Sequence, residues 1–296
     1  MPAAPLPPRD GVGASSVQLP DGPWPRVLDF LVDRFAAIDV ATWRARMARG
    51  LVVDEHGAPI DEHTPYRAGV SVSYYRELPS EAEIPFVAQI LYRDAHLLIA
   101  DKPHFLPVIP AGRYVQQSLL VRLKRETGLA ELTPLHRIDR GTAGLVAFST
   151  NAQTRGRYQA LFATRAIDKR YDAIAPQVDG LRFPFARRSR LVAGTPFFRM
   201  QEADGTPNSE TIFESAEPHG ALARYRLQLL SGKKHQLRVH LAAIGAPIEN
   251  DPFYPTLRDA ADEDDFDKPL KLLARRLAFV DPLNGETRVF TSQREL

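Results

Sequence analysis

The chain of 296 residues has no cysteine. Thiol nucleophiles, cysteine zinc sites and disulfides are therefore excluded, and a reducing cytoplasm is the compartment that suits this composition. Long apolar runs are lacking too. None nears the roughly 20 residues that span a bilayer as a helix, and the start, "MPAAPLPPRDGVGASSVQLPDGPWP", has neither a secretion signal nor an Arg-rich amphipathic pattern. A soluble cytoplasmic protein with no membrane partner is expected. Nor is there an excess of one charge, because 38 Lys and Arg face 36 Asp and Glu for a net +2. Attraction to a polyanion must then come from local clustering and not from the whole field. What the chain does have is an apolar fraction of 44%, enough for a real core, and 25 prolines, several of them near its beginning. Residues 1–23 read as a disordered Pro-rich leader.

Residues 24–78 read as a small α/β module. "RVLDFLVDRF" spaces Val27, Leu28, Leu31 and Phe35 helically, and "DVATWRARMARG" forms a second helix between an Asp39 cap and Gly50. Strand signals follow in "LVVDEHGAPI" and "GVSVSYYRE". Arg44, Arg46 and Arg49 form either a solvated helix face or a face that touches RNA. A Pro-punctuated connector puts a boundary near Pro79, and residues 79–296 then mix strands and helices. Leu97 to Ala100 is a strand stopped by Pro103, "QQSLLVRLKRETG" is an amphipathic helix ended by Gly128, and "NAQTRGRYQALFATR" is a helix capped by Asn151 or Thr150. Short strands and loops are expected from Ala166 to Glu217, then a helix in "KKHQLRVHLAAIG". "DAADEDDFDK" reads as a solvated acidic loop, and a final strand pair turns at Asn284-Gly285.

Several chemistries fail on spacing. "HRIDRGTAGL" lacks the Asn of a kinase catalytic loop, and no Gly-rich nucleotide loop or Asp-Phe-Gly accompanies it. "LLSGKKHQ" lacks the first Gly and the final Ser or Thr of a P-loop. No Gly-x-Ser-x-Gly elbow and no His-Glu-x-x-His occurs, and His235 and His240 fall on different faces of their helix. Taken singly, Asp139 reads as a turn residue and Tyr171 as a core aromatic.

The three stretches "PLHRIDRGTAGLVAFS", "DKRYDAIAP" and "LLSGKKHQLRVHLAAIGAPIENDPFY", in that order, resemble the pseudouridine synthases of the RluA type, which modify ribosomal and transfer RNA. The similarity runs from about Ile84 to the C-terminus. Residues 26–77 resemble more loosely a two-helix RNA-binding module that precedes such domains. The resemblance implies an α+β fold: a catalytic domain with a mixed, mostly antiparallel sheet flanked by helices. It implies Asp139 as catalytic aspartate, Tyr171 as active-site tyrosine and Arg238 as the partner of the aspartate. Departures from the pattern are Ile138, Ala143, Lys233, Asn250, Pro255 and Leu273.

Converting uridine to pseudouridine breaks N1–C1′ and joins C5 to C1′ with no atom gained or lost, so no redox cofactor, nucleotide or metal is required. It does require a carboxylate, a route for the C5 proton and access to a stacked base. Asp139 supplies the first, as a nucleophile or as a base on a sugar proton. An opposing Arg238 favours its ionised form. Arg137 matches the family residue that fills the space a flipped base leaves. Arg140 binds phosphate or buttresses the turn. Lys169, Lys233, Lys234 and His235 complete the expected substrate contacts, and Arg155 and Arg157 are further candidates for the RNA backbone. The expected partner is RNA, ribosomal before transfer, and the expected state is a monomer. The rivals are a silent RNA-binding protein of the same fold and a metal-dependent nuclease, whose acidic ligands would have to come from "DEDDFD".

Overall fold

The computed structural model describes residues 12–76, 81–258 and 264–296. The expected boundary at Pro79 and residues 1–11 of the expected leader lie outside them.

The small module contains β1 (Ser15–Gln18), α1 (Val27–Arg34), α2 (Val40–Ala48), β2 (Val52–Val53) and β3 (Ser71–Tyr74). The sheet order is β1-β3-β2, antiparallel throughout. β1 corrects the expectation of a leader disordered to residue 23. Val17 and Gln18 pair with Val72 and Ser71, and Leu19 is buried among Leu28, Leu31 and Trp43, so alternating apolar residues gave this segment a sheet edge to join. The Asp39 cap is present, its carboxylate accepting the Thr42 N–H at 2.7 Å. Arg46 does not share the exposed face expected of the helix arginines; it is buried, its guanidinium over Trp43 at 5.1 Å. Val12 packs on Val115 and Val121, and Arg76 donates to the carbonyls of Pro110 and Gly112, joining this end of the chain to the larger domain.

The larger domain has β4 (Gln89–Arg93), β5 (Leu97–Lys102), α3 (Leu119–Thr127), β6 (Thr133–Pro134), β7 (Ala143–Ser149), α4 (Arg155–Ala163), β8 (Asp168–Ala175), β9 (Phe185–Ala193), β10 (Met200–Ala203), β11 (Ser209–His219), β12 (Leu222–Leu229), α5 (Gln236–Ala243), β13 (Leu272–Val280) and β14 (Thr287–Thr291). Eleven strands form one sheet, in the order β10-β9-β11-β12-β8-β13-β7-β5-β4, with β14 on β13 and β6 on β7. Among the described residues only β13 and β7 run parallel. The strands after Ala166 are longer than expected, up to 11 residues in β11, because polar-outward alternation such as Arg188 and Arg190 in β9 hides a strand among charged letters. The expected cap of α4 is also corrected. Thr154 is its N-cap, while Asn151 makes a turn just before it by accepting the Gln153 N–H at 2.9 Å. No helix of the described residues is long and apolar enough to cross a membrane.

The parallel junction positions everything that follows. Leu273 and Ala274 of β13 lie beside Ala143 and Gly144 of β7. Gly144 has φ +106°, and a Cβ there would stand 2.3 Å from the Ala274 carbonyl oxygen, so only glycine lets the two backbones approach. Leu273, one of the departures from the resembled pattern, is fully buried at this junction.

Candidate active site

The loop of residues 135–142 enters β7 and is held from behind by three groups. Lys102, fully buried at the end of β5, donates to the carbonyls of Pro103, Leu106 and Arg140 at 2.9, 2.8 and 3.1 Å. Burial pushes its pKa well below the usual lysine value, against the pull of Asp139, and three acceptors match the three N–H bonds of the ammonium form. His104 Nδ1 donates to the Gly141 carbonyl at 2.7 Å. His136 Nε2 accepts the Ala147 N–H at 3.1 Å, and burial lowers its pKa to about 3. Its ring stacks on Phe162. A ring nitrogen that must accept cannot be protonated, so hydrogen bond and burial agree.

Arg140 is thereby assigned. Its guanidinium grips Asp264 through both nitrogens, at 2.8 and 2.6 Å, and Asp264 also accepts from Tyr114 at 2.8 Å. The Arg140 hydrogen bond holds the Asp264 carboxyl down at about 2. Arg140 buttresses the loop and is not a free phosphate ligand. This also corrects the solvated reading of the acidic stretch: Asp264 is anchored and Phe266 packs on Phe86 and Phe105, while residues 259–263 lie outside the described residues.

Arg238, on α5, is only 4% exposed. Its Nε and Nη2 donate to the two oxygens of Asp251 at 2.7 and 2.6 Å, and Nη1 reaches Asp139 Oδ2 at 3.3 Å. The side chain of Asp251 is fully buried and accepts as well from the backbone of Phe253 and Tyr254. One face of the guanidinium is covered by Phe253 at 4.8 Å. A buried Arg requires a carboxylate, and that requirement was the signal by which the "NDPFY" aspartate could have been found from sequence. Asn250 beside it has φ +62°, a conformation Asn tolerates, which explains how it stands where the family commonly has Gly.

His235 begins α5 with φ +56°. Its Nδ1 lies 3.0 Å from the Tyr254 hydroxyl and its Nε2 lies 3.9 Å from Asp139. Burial lowers its pKa to about 4, so it stands there neutral. Gln236 fixes the helix start with a fully used amide: Oε1 accepts from Ser231 and Lys233, and Nε2 donates to Glu210 and Thr211. His240 faces away, bonded to Ser189, Ser209 and Thr211, so the two histidines do diverge.

Tyr171 of β8 is 7% exposed, and burial, reinforced by Asp139, raises its phenol above the usual value. Lys169, two residues earlier on the same face, has its pKa lowered by burial and then by Arg165, and a Cβ on Gly232 would lie 3.7 Å from its Nζ. Arg137, Asp139, Arg140, Lys169, Tyr171, Lys233, Lys234, His235 and Arg238 all line one cleft of about 830 Å³. Arg165, exposed on the same cleft with φ +61°, was not anticipated. Arg155 is committed elsewhere, to Glu131. The cleft can hold a single nucleotide-sized group against one carboxylate, one neutral phenol and a basic rim.

The comparisons with known proteins agree with this geometry. A family profile described as RNA pseudouridylate synthase matches residues 96–243, which carry the first two motifs and the third as far as Ala243. An uncharacterized RNA pseudouridine synthase of Synechocystis is 27% identical over 77% of this chain and 79% of its own length. Human pseudouridylate synthase RPUSD2 is 31% identical over 61% of this chain, which spans only 34% of the human protein. The solved structure of human RNA pseudouridylate synthase domain containing 4 superposes with a TM-score of 0.53 at 25% identity, over 68% of this chain and 87% of that one. With half the chain matched by the profile and the same fold around the cleft, the chain belongs to the RluA-type RNA pseudouridine synthases, isomerases that act on RNA.

Proposed function

We propose that the protein isomerises particular uridines of structured RNA, with ribosomal RNA as the favoured target. The observation that carries this reading is the convergence of Asp139, Tyr171 and Arg238 in one cleft, with Asp139 bonded to an arginine that Asp251 already holds. Asp139 acts at the sugar, as nucleophile on C1′ or as base on a sugar proton, while the N1–C1′ bond breaks. Arg238 keeps the carboxylate ionised and aimed. After the uracil turns, C5 joins C1′ as the Asp139–C1′ bond breaks or Asp139 returns the sugar proton, and the C5 proton leaves through Tyr171, whose neutral phenol passes its own proton on to the freed N1, directly or by water, as it takes the new one. Arg137, exposed at the mouth, fills the place of the extruded base. Lys169, Lys233, Lys234 and His235 contact the nucleotide and its phosphates. We place the protein in the cytoplasm, as a monomer, with residues 12–76 as a second RNA-binding surface.

Transfer RNA is the second reading. Relatives include a Haemophilus influenzae protein named as a dual-specificity RNA pseudouridine synthase and a yeast mitochondrial one named as a tRNA pseudouridine(32) synthase. The test is tritium release from ribosomal and transfer RNA labelled at uracil C5. Wild type should release label from one of them, and Asp139→Ala should be slower by at least about a thousandfold while melting within a few degrees of wild type. No release from either RNA ends the synthase reading and leaves a silent RNA binder. Equal release from both proteins ends the role of Asp139.

A further inference from the structure

Phe197 is the most exposed large apolar side chain among the described residues, with 86% of its surface open. It sits in the loop of residues 194–199 between β9 and β10, and that loop is braced. The Arg199 N–H donates to the Pro196 carbonyl at 2.8 Å and the Gly194 N–H to the Arg199 carbonyl at 3.1 Å. The loop is also tied to the turn that carries Asp251. The Met200 N–H donates to the Tyr254 hydroxyl at 2.7 Å, and the Arg199 guanidinium lies 5.0 Å from the Tyr254 ring and donates to the Pro255 carbonyl. Phe198 takes the inward place, 5.2 Å from Phe253, which covers Arg238. Phe197 meets Phe198 edge-on at 5.6 Å. An unbroken line of rings thus leads from the guanidinium at Asp139 to a bare phenyl.

A braced, exposed ring linked through Phe198 and Phe253 to Arg238 of the basic cleft is what unpaired bases stack on, with little ordering left to do on binding. We propose that Phe197 stacks on an unpaired nucleotide flanking the flipped uridine, lengthening the RNA segment that the enzyme grips. The proposal rests on the synthase reading and adds a contact outside the cleft that tolerates any base, since every base has a π face.

The test uses the full chain and whichever tritiated RNA proves to be a substrate. Phe197→Ala should raise KM by roughly 5- to 100-fold, with the loss expressed in KM, and Phe197→Trp should restore it. The indole of F197W should also be quenched on titration with that RNA, beyond the wild-type background from Trp24 and Trp43. A wild-type KM in Phe197→Ala overturns the proposal. So does a Phe197→Ala that turns a dimer into a monomer in sedimentation without changing KM, because the ring would then seat a second copy. If wild type releases no tritium, the synthase reading fails on its own, and titration of F197W with bulk ribosomal and transfer RNA still decides the stacking: quenching supports it and its absence overturns it.

Discussion

Arg238 answers to two carboxylates of unequal standing. Asp251 is bidentate and buried, whereas Asp139 is a single longer contact at the cleft. Removing Asp139 leaves Arg238 satisfied; removing Asp251 strands a buried cation. Asp251→Ala should therefore cost about 3–5 kcal/mol of stability, read as a lower urea midpoint, where Asp139→Ala should cost little. Equal midpoints for the two variants would contradict this division. Four buried or half-buried histidines make a second prediction. Burial lowers His104, His235 and His240 to about 4 and His136 to about 3, from an ordinary 6.5. Between those values the unfolded chain binds more protons than the folded one, so stability is full above about pH 6.5 and falls as pH drops towards 4. Unfolding free energies from urea titrations should decline from pH 7 to pH 4.5, by at most about 1.4 kcal/mol per pH unit for each histidine. His240→Gln, which removes one of the four groups, should flatten the decline, and an unchanged slope would show that His240 is not a source of it.

At the scale of elements, the pairing of β7 with β13 decides where the loop that carries Asp139 can sit. The turn of residues 135–142 enters the sheet at Ala143, just before Gly144, where the backbone lies against Ala274. Gly144→Ala places a methyl on the Ala274 carbonyl and asks alanine for φ +106°. Destabilisation of about 3 kcal/mol or more is expected, seen in thermal melts, with activity lost even where the protein folds, because Asp139 shifts with the loop. Gly156, with open space around its Cβ position, is the control: Gly156→Ala in α4 should be tolerated or mildly stabilising. Sequence reading found β13 in the final strand pair but not its contact with β7, since a parallel pair joins residues far apart in the chain.

For the whole molecule, a net charge of +2 conceals a basic cleft rim of Arg137, Arg165, Lys169, Lys233 and Lys234. RNA affinity should fall steeply with salt. The double variant Lys233→Ala/Lys234→Ala should reduce the slope of log affinity against log salt by about 1.4 to 2. An unchanged slope in filter-binding titrations would remove the two lysines from the phosphate contacts. Arg140→Ala should leave that slope nearly unaltered, because its charge is already spent on Asp264.

Three motifs in order, each legible as letters, were enough to determine the reaction class and the α+β architecture, and they singled out Asp139, Tyr171 and Arg238, which the fold brings to one cleft. Short-range signals did the same for α2, with its Asp39 cap, and for the turn at Gly285, because caps and turns are set by residues within a few positions of one another. Only the tertiary structure decided what long-range pairing controls. It made β1 a strand by giving it β3, decided between phosphate binding and buttressing for Arg140 by bringing Asp264 to it, and gave Arg238 its Asp251. Charged letters look alike in sequence whether they face solvent, RNA or each other. Which partner a charge meets depends on burial and approach, and these exist only once the chain has folded.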